Sequence, residues 1–304
     1  MVSSLVWARG AIRFMKSGNR KRARSSLITA SVVAIPLALV AIVVCVALLT
    51  ETSPEPPPTQ KITTDDLPAT YEQTASDSVN RKQLVEDPNA PRIYLTFDDG
   101  PSAQSTPKIL EILDTYHIKA TFFIPGYTAE NLPDMVKLIA SKGHVIANHS
   151  YSHDYRAVYA SADVFMKDIE KGEAVLTRIL GKAPLRLVRF PAGSAAVELE
   201  ANPKMREKIK SRLEAGGWRF FDWSVSMGDS ISGWTPKPGD LGGKLISAID
   251  ERVAVGATDI FVLAHDTDSR PWTPTDLPMV IEHCHEKGYV FRTISLDSPP
   301  CEYR

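Results

Sequence analysis

The sequence predicts an α/β fold, a barrel-like parallel sheet of about seven strands preceded by a single N-terminal transmembrane helix. Three observations carry this expectation. Seven apolar runs of strand length recur after residue 90, each followed by a loop and usually by a segment of helical period. One long charge-free run lies near the N-terminus, and five short polar motifs fall at the ends of strands. Strands that alternate with helices imply a parallel sheet, and seven such units favour a barrel-like arrangement over an open sheet.

Taken in order, residues 1–26 form a basic tail, 27–49 the membrane helix, 50–90 a linker and 91–304 the α/β domain. The 23 positions of 27–49 carry no charge; as a helix at ~1.5 Å per residue they span roughly 34 Å, enough for a hydrocarbon core of ~30 Å. Arg20-Lys21-Arg22-Ala23-Arg24 stands just before it, and the positive-inside rule places such a cluster in the cytoplasm, leaving the rest of the chain outside the cell. A cleaved signal peptide is the competing reading, disfavoured because the run exceeds an ordinary h-region and ends without a small-x-small site. The linker is rich in Pro, Thr, Ser and acids, is densest at Pro54-Glu55-Pro56-Pro57-Pro58, and reads as a spacer that is stiff at its start.

The strands are expected at 93–97, 120–124, 145–148, 185–190, 219–225, 259–264 and 289–294. Between them, Pro107 opens a helix at its first turn, and Ser161 N-caps a long helix that stops at Gly181. Seven of the 35 basic residues and none of the 36 acids precede residue 50, so the remainder carries 28 basic against 36 acidic residues, a net charge of −8. That balance argues against nucleic acid as a partner and suits a mainly neutral sugar chain. Outside the membrane run the cysteines are Cys284 and Cys301, too few for a disulfide framework, though an exported chain has the option of pairing them.

The five motifs are Thr96-Phe97-Asp98-Asp99-Gly100, His149-Ser150-Tyr151-Ser152-His153, Arg189-Phe190-Pro191-Ala192-Gly193, Asp222-Trp223 and Leu263-Ala264-His265. Each lies at or just after a strand's C-terminal end, where βα barrels place their chemistry. Side chains of Asp98 and Asp99 must diverge, so that one is free to bind a metal while the other faces a water. Taken alone, Asp-Asp-Gly-Pro is also a turn signal. His149 and His153, spaced i,i+4, share one face of a helical turn and, with a carboxylate, make a His, His, Asp site. Zinc heads the possible occupants, and other divalent transition ions suit the same donors.

Arg189, ending an apolar strand, wants a carboxylate, and Asp98 is the candidate. Backbone N–H groups around Ala192 are available to a developing oxyanion. Asp222 is the carboxylate expected to tune His265, with Trp223 walling a small apolar pocket. His283-Cys284-His285 is set aside as a ligand cluster because helical neighbours at i and i+2 face different ways. Gly216-Gly217 and Gly242-Gly243 lack a phosphate-loop fingerprint.

In this order, the five motifs resemble those of the polysaccharide deacetylase family, the NodB-homology carbohydrate esterases of family 4, over about residues 90–295. The resemblance implies a deformed (β/α) barrel and the removal of acetyl groups from N-acetylated sugars by a metal-activated water. It implies Asp99, His149 and His153 as metal ligands, Asp98 as general base and His265 as general acid. Arg189 would orient Asp98, Asp222 would tune His265, Trp223 and Leu263 would line the acetate-methyl pocket, and a backbone N–H near Ala192 would join the metal at the oxyanion. Ala192 stands where many relatives carry an aromatic residue or glycine.

The expected function is therefore a membrane-anchored peptidoglycan N-deacetylase, single-pass, with a cytoplasmic N-terminus and an extracellular catalytic domain acting on an acetylated glycan. The alternatives are a chitin-oligosaccharide deacetylase, an O-acetyl esterase, and a glycan-binding protein without turnover.

Overall fold

The computed structural model describes residues 87, 89–231, 233 and 235–303. The expected tail, membrane run and most of the linker lie outside the described residues, and no described helix is long and apolar enough to cross a membrane.

The sheet comprises β1 (Arg92–Asp98), β2 (Thr121–Ile124), β3 (Val145–Asn148), β4 (Leu187–Val188), β5 (Arg219–Phe220), β6 (Val225–Ser226), β7 (Asp259–His265) and β8 (Val290–Arg292). All pairings among these strands are parallel. The spatial order is β5-β4-β3-β2-β1-β7-β6, with β8 joining the N-terminal half of β1. This is a curled half-barrel. The single strand expected at 219–225 is two: β5 pairs with β4 at one edge of the sheet and β6 with β7 at the other. Four residues, 221–224, cross the seam, where Phe221 N–H donates to Val188 O (3.0 Å) and Ser224 N–H to Phe261 O (2.9 Å). A continuous strand cannot pair with both edges of a curled sheet, so the chain leaves strand geometry between them.

Nine described helices, α1 (Ser105–Thr115), α2 (Gly126–Asn131), α3 (Pro133–Ser141), α4 (Tyr155–Val158), α5 (Ala162–Leu180), α6 (Val197–Glu200), α7 (Pro203–Ala215), α8 (Asp240–Ala254) and α9 (Thr273–Glu286), occupy the connections. The ends of α5 are as expected: the Ser161 hydroxyl accepts from Val164 N–H, and Gly181 closes the helix at φ 72°, a left-handed conformation that glycine adopts without a Cβ penalty. Helix α1 starts two residues before Pro107, and its N-terminal N–H groups are capped from a distance, with Gln104 and Ser105 donating to Asp268 Oδ1 at 2.9 Å.

Period-two alternation decides which side chains reach the site. In β1, Ile93, Leu95 and Phe97 pack outward with Phe122, Ile124, Ile146, Ile260, Val262 and Ala264 beneath the helices. Tyr94 faces inward with Phe123, Ala147, Leu187, Phe221 and Phe261, and its ring stacks on Phe261 at 4.3 Å. Asp98 continues that inward column, and the register sets Asp98 beside His265. The two ends of the chemistry are thus neighbours at the C-terminal rim of one barrel interior.

Candidate active site

Asp98 is buried, and Arg189 Nη1 donates to its Oδ1 at 2.7 Å, the pairing expected from the sequence. Arg189 has no exposed surface. Its other hydrogen bonds go to Thr96 Oγ1 (2.7 Å), Phe221 O (2.9 Å) and Asp222 O (2.9 Å), and the guanidinium lies 4.1 Å from the Phe123 ring centroid. A buried charge of this kind is tolerated only when paired and hydrogen-bonded; here it locks the Asp98 carboxylate in one orientation.

Asp99, the next residue, turns away because its backbone is left-handed (φ 72°), as are Ser150 (66°), His153 (53°) and Ala192 (61°). Non-glycine residues adopt this region at a cost, and such outliers gather at functional sites. The i,i+4 histidines meet without a helix: residues 149–154 form a loop before α4, and the left-handed turns at Ser150 and His153 bring the rings to 4.8 Å between centroids. Three hydrogen bonds hold that loop, with Tyr151 N–H and Ser152 N–H donating to Asp168 Oδ2 and His153 N–H to Ser150 Oγ.

Asp99 Oδ1 lies 3.0 Å from His153 Nε2 and 3.5 Å from His149 Nε2. One donor atom from each of the three residues falls within 4.8 Å of the others. These residues fit a divalent ion on three observations. Asp99 Oδ1 is buried without a hydrogen-bond partner. His149 Nδ1 donates to Arg189 O at 2.9 Å, which turns its Nε2 toward Asp99, as a hydrogen bond to the far nitrogen does for metal-binding imidazoles. Burial, reinforced by the charge of His149, lowers the His153 pKa to about 4, so its ring is neutral and able to ligate near pH 7. Burial works to raise Asp99, but the adjacent imidazole of His149, together with His153 and His265, holds it well below the usual carboxylate range.

His265 has a different partner from the one expected. Its Nδ1–H donates to Asp229 Oδ1 at 2.8 Å, while its backbone N–H (2.8 Å) and Thr273 Oγ1–H (2.7 Å) donate to Asp229 Oδ2. Burial disfavours the imidazolium, but the Asp229 hydrogen bond and charge outweigh it, with help from Asp98 and Asp99, and raise the pKa to about 9. Asp222 does not touch His265. It accepts from Ser194 N–H (2.8 Å), Ser194 Oγ–H (2.6 Å) and Tyr303 N–H (2.9 Å), and its own N–H donates to Cys301 O. Asp222 therefore anchors the loop after β4 and the C-terminal segment. The reason is topological: it sits on the seam crossing, whereas Asp229 follows β6, the strand hydrogen-bonded to β7. Three residues separate Val225 from Asp229 and none separates Asp222 from Trp223, so the Asp-Trp pair drew the expectation to the wrong carboxylate.

Ala192, Trp223 and Leu263 line one cavity of about 540 Å³ together with Asp98, Asp99, His149, His153 and His265. Tyr127 and Tyr155, not singled out in the sequence, stand in its wall, as do Ser230 and Arg270. Elsewhere, His283 Nε2 meets Asp250 at 3.0 Å while the His285 ring packs against Phe291, so these histidines do diverge. Cys284 is buried, and both it and Cys301 are free thiols.

Comparison with known proteins agrees with this geometry. The family model described as "Polysaccharide deacetylase" matches residues 85–209. A peptidoglycan-N-acetylglucosamine deacetylase of Bacillus cereus is 47% identical over 144 residues, 47% of this chain and 50% of that protein, so the chain matches half the length of that relative. A chitooligosaccharide deacetylase of Rhizobium leguminosarum is 29% identical over 214 residues, covering 66% of this chain and 89% of that protein. Among solved structures, the catalytic domain of a peptidoglycan N-acetylglucosamine deacetylase from Eubacterium rectale superposes with a TM-score of 0.63 at 29% identity, covering 75% of this chain and 99% of that one. With the aspartate pair, the two histidines, the buried arginine and the strand-end histidine assembled on one half-barrel rim, this chain carries a polysaccharide deacetylase domain.

Proposed function

We propose that this domain is a divalent-metal-dependent amidase that removes N-acetyl groups from amino-sugar chains of the cell wall, with peptidoglycan as substrate. The observation that carries the reading is the meeting, in one cavity, of an Arg189-bound carboxylate at Asp98, a His, His, Asp cluster, and an imidazole held by Asp229. A bound ion, with zinc favoured by the donor set, would polarise the acetamide carbonyl and make a water more acidic.

The chain's own residues do the rest. Asp98, oriented by Arg189, takes the proton from the attacking water, whose oxygen bonds to the acetyl carbon. His265 delivers a proton from Nε2 to the amine as the carbon–nitrogen bond breaks, giving acetate and a free amino sugar; Asp229 on Nδ1 keeps the ring charged and correctly turned. Ala192 contributes its backbone N–H to the developing oxyanion. Trp223 and Leu263 enclose the methyl group.

We assign the domain to the outer face of the cell membrane, tethered by residues 27–49 and held away from it by the linker; the support is the charge-free run behind its basic cluster. A chitin-oligosaccharide deacetylase is the second reading, favoured by the 89% coverage of the Rhizobium relative. Acetate release by the purified chain from peptidoglycan and from chitin oligosaccharides, with chelator and with zinc added back, separates them. Chelator-sensitive release from peptidoglycan is the expected result; release from chitin oligosaccharides alone moves the assignment to the second reading, and none from either substrate overturns both.

A further inference from the structure

The two ends of the active-site cavity differ in kind. Taking the strands in their spatial order, the loops after β3 and β2 bring Tyr155 and Tyr127 to one end, β1 sets Asp98 and Asp99 in the middle, and the loops after β7 and β6 bring Arg270 and Ser230 to the other. The tyrosine end offers aromatic rings to a neutral sugar. The opposite end offers hydroxyls and a guanidinium.

Arg270 is half-buried and has no carboxylate within ion-pair distance among the described residues. The other charges of the cavity are already matched: Asp98 by Arg189, Asp229 by His265, and Asp99 by its histidines. A long reach to Ser230 O, 3.5 Å from Nη2, is the side chain's one described hydrogen bond. Its backbone is firmly set, with its N–H donating to Thr267 O (2.9 Å) and its carbonyl accepting from Thr273 N–H (3.3 Å). Thr273 in turn donates to Asp229, so the Arg270 backbone and the His265 imidazole hang on one framework. An unmatched guanidinium at a preset place in the wall of an acidic domain is a carboxylate receptor.

We propose that Arg270 is a specificity residue that recognises a carboxylate on the glycan beside the acetamido group being cleaved, so that the site prefers strands bearing the lactyl ether acid of muramyl residues over uncharged chitin. This rests on the deacetylase reading and narrows its substrate. The carboxylate has two possible carriers, the sugar that loses its acetyl group or the sugar next to it, and the same contact serves either.

The test compares kcat/KM for three substrates on the full chain: peptide-free wall glycan strands with free lactyl carboxylates, the same strands with those carboxylates converted to neutral amides, and chitin oligosaccharides of matched length. Wild-type protein is expected to favour the acidic strands, and Arg270→Ala to reduce the acidic-to-amidated ratio about tenfold, the size of a charged hydrogen bond. Arg270→Lys should restore part of the ratio, and Arg270→Glu should invert it. Fragment mass analysis of the product assigns the carrier, by showing whether the muramyl or the neighbouring sugar has lost acetyl. A ratio unchanged in Arg270→Ala overturns the proposal while leaving the deacetylase reading intact. Absence of acetate release by wild type from all three substrates refutes that reading instead.

Discussion

Replacing Asp229 with Asn should cripple the enzyme in a way that depends on pH. The substitution keeps the side chain's shape but removes the charge that faces His265 Nδ1 at 2.8 Å. In the wild type burial opposes the imidazolium, and Asp229 leads the forces that raise the pKa to about 9. Without it, burial acts against only the Asp98 and Asp99 charges, and the pKa should fall to the ordinary ~6.5 or below. A change from about 9 to ~6.5 corresponds to roughly 3 kcal/mol of lost preference for the charged ring. At pH 8 some nine-tenths of wild-type His265 would carry its proton against roughly 3% in the variant, a loss of about thirtyfold from protonation alone. At pH 6 the two should differ by less than about twofold on this account. The assay is the pH profile of kcat/KM for acetate release, run on both proteins loaded with the same ion. An equal loss at pH 6 and pH 8 would refute the electrostatic argument and leave Asp229 a merely structural residue. Stability offers a second readout: because the folded pKa of His265 is raised, the pair's contribution is fully present below about pH 6.5 and is lost as pH climbs through 9. The wild-type Tm should therefore fall across that window more than the variant's.

Other substitutions sort the remaining roles. Asp98→Asn should keep the metal and lose turnover, whereas His149→Ala should lose both; ion content measured beside acetate release distinguishes them, and near-wild-type activity in Asp98→Asn would remove the base assignment. Arg189→Met leaves Asp98 buried without its partner and should cost about 3–5 kcal/mol in urea unfolding, whereas a cost under about 1 kcal/mol would mean water reaches the carboxylate. Gly100→Ala should dislodge the loop that carries Asp99, because a Cβ there would lie 2.1 Å from the Asp266 carboxylate oxygens. That carboxylate accepts Gly100 N–H at 3.0 Å, and titration with a competing chelator should show weakened ion affinity before any drop in Tm.

Much of this protein is legible in the order of its residues. The alternation of Ile93, Leu95 and Phe97 with Tyr94, Thr96 and Asp98 specifies a strand and puts Asp98 on its inner face, and Ser161 with Gly181 delimits a helix, because burial periodicity and capping are local properties of the chain. The pairing of Arg189 with Asp98 is also readable, since a charged side chain ending an apolar strand has few ways to be satisfied. Tertiary structure alone decided the rest. The run at 219–225 became two strands because a curled sheet has two edges and one segment cannot hydrogen-bond to both. His149 and His153 converge through left-handed turns at Ser150 and His153, which no glycine announces and which their loop's bonds to Asp168 hold in place. Asp229 rather than Asp222 holds His265, because that choice depends on which strand lies beside β7 and on where a loop turns after leaving the sheet. Spacing along the chain determines the face a residue occupies within an element; the direction of a side chain beyond the element's end is determined by contacts with residues far away in sequence.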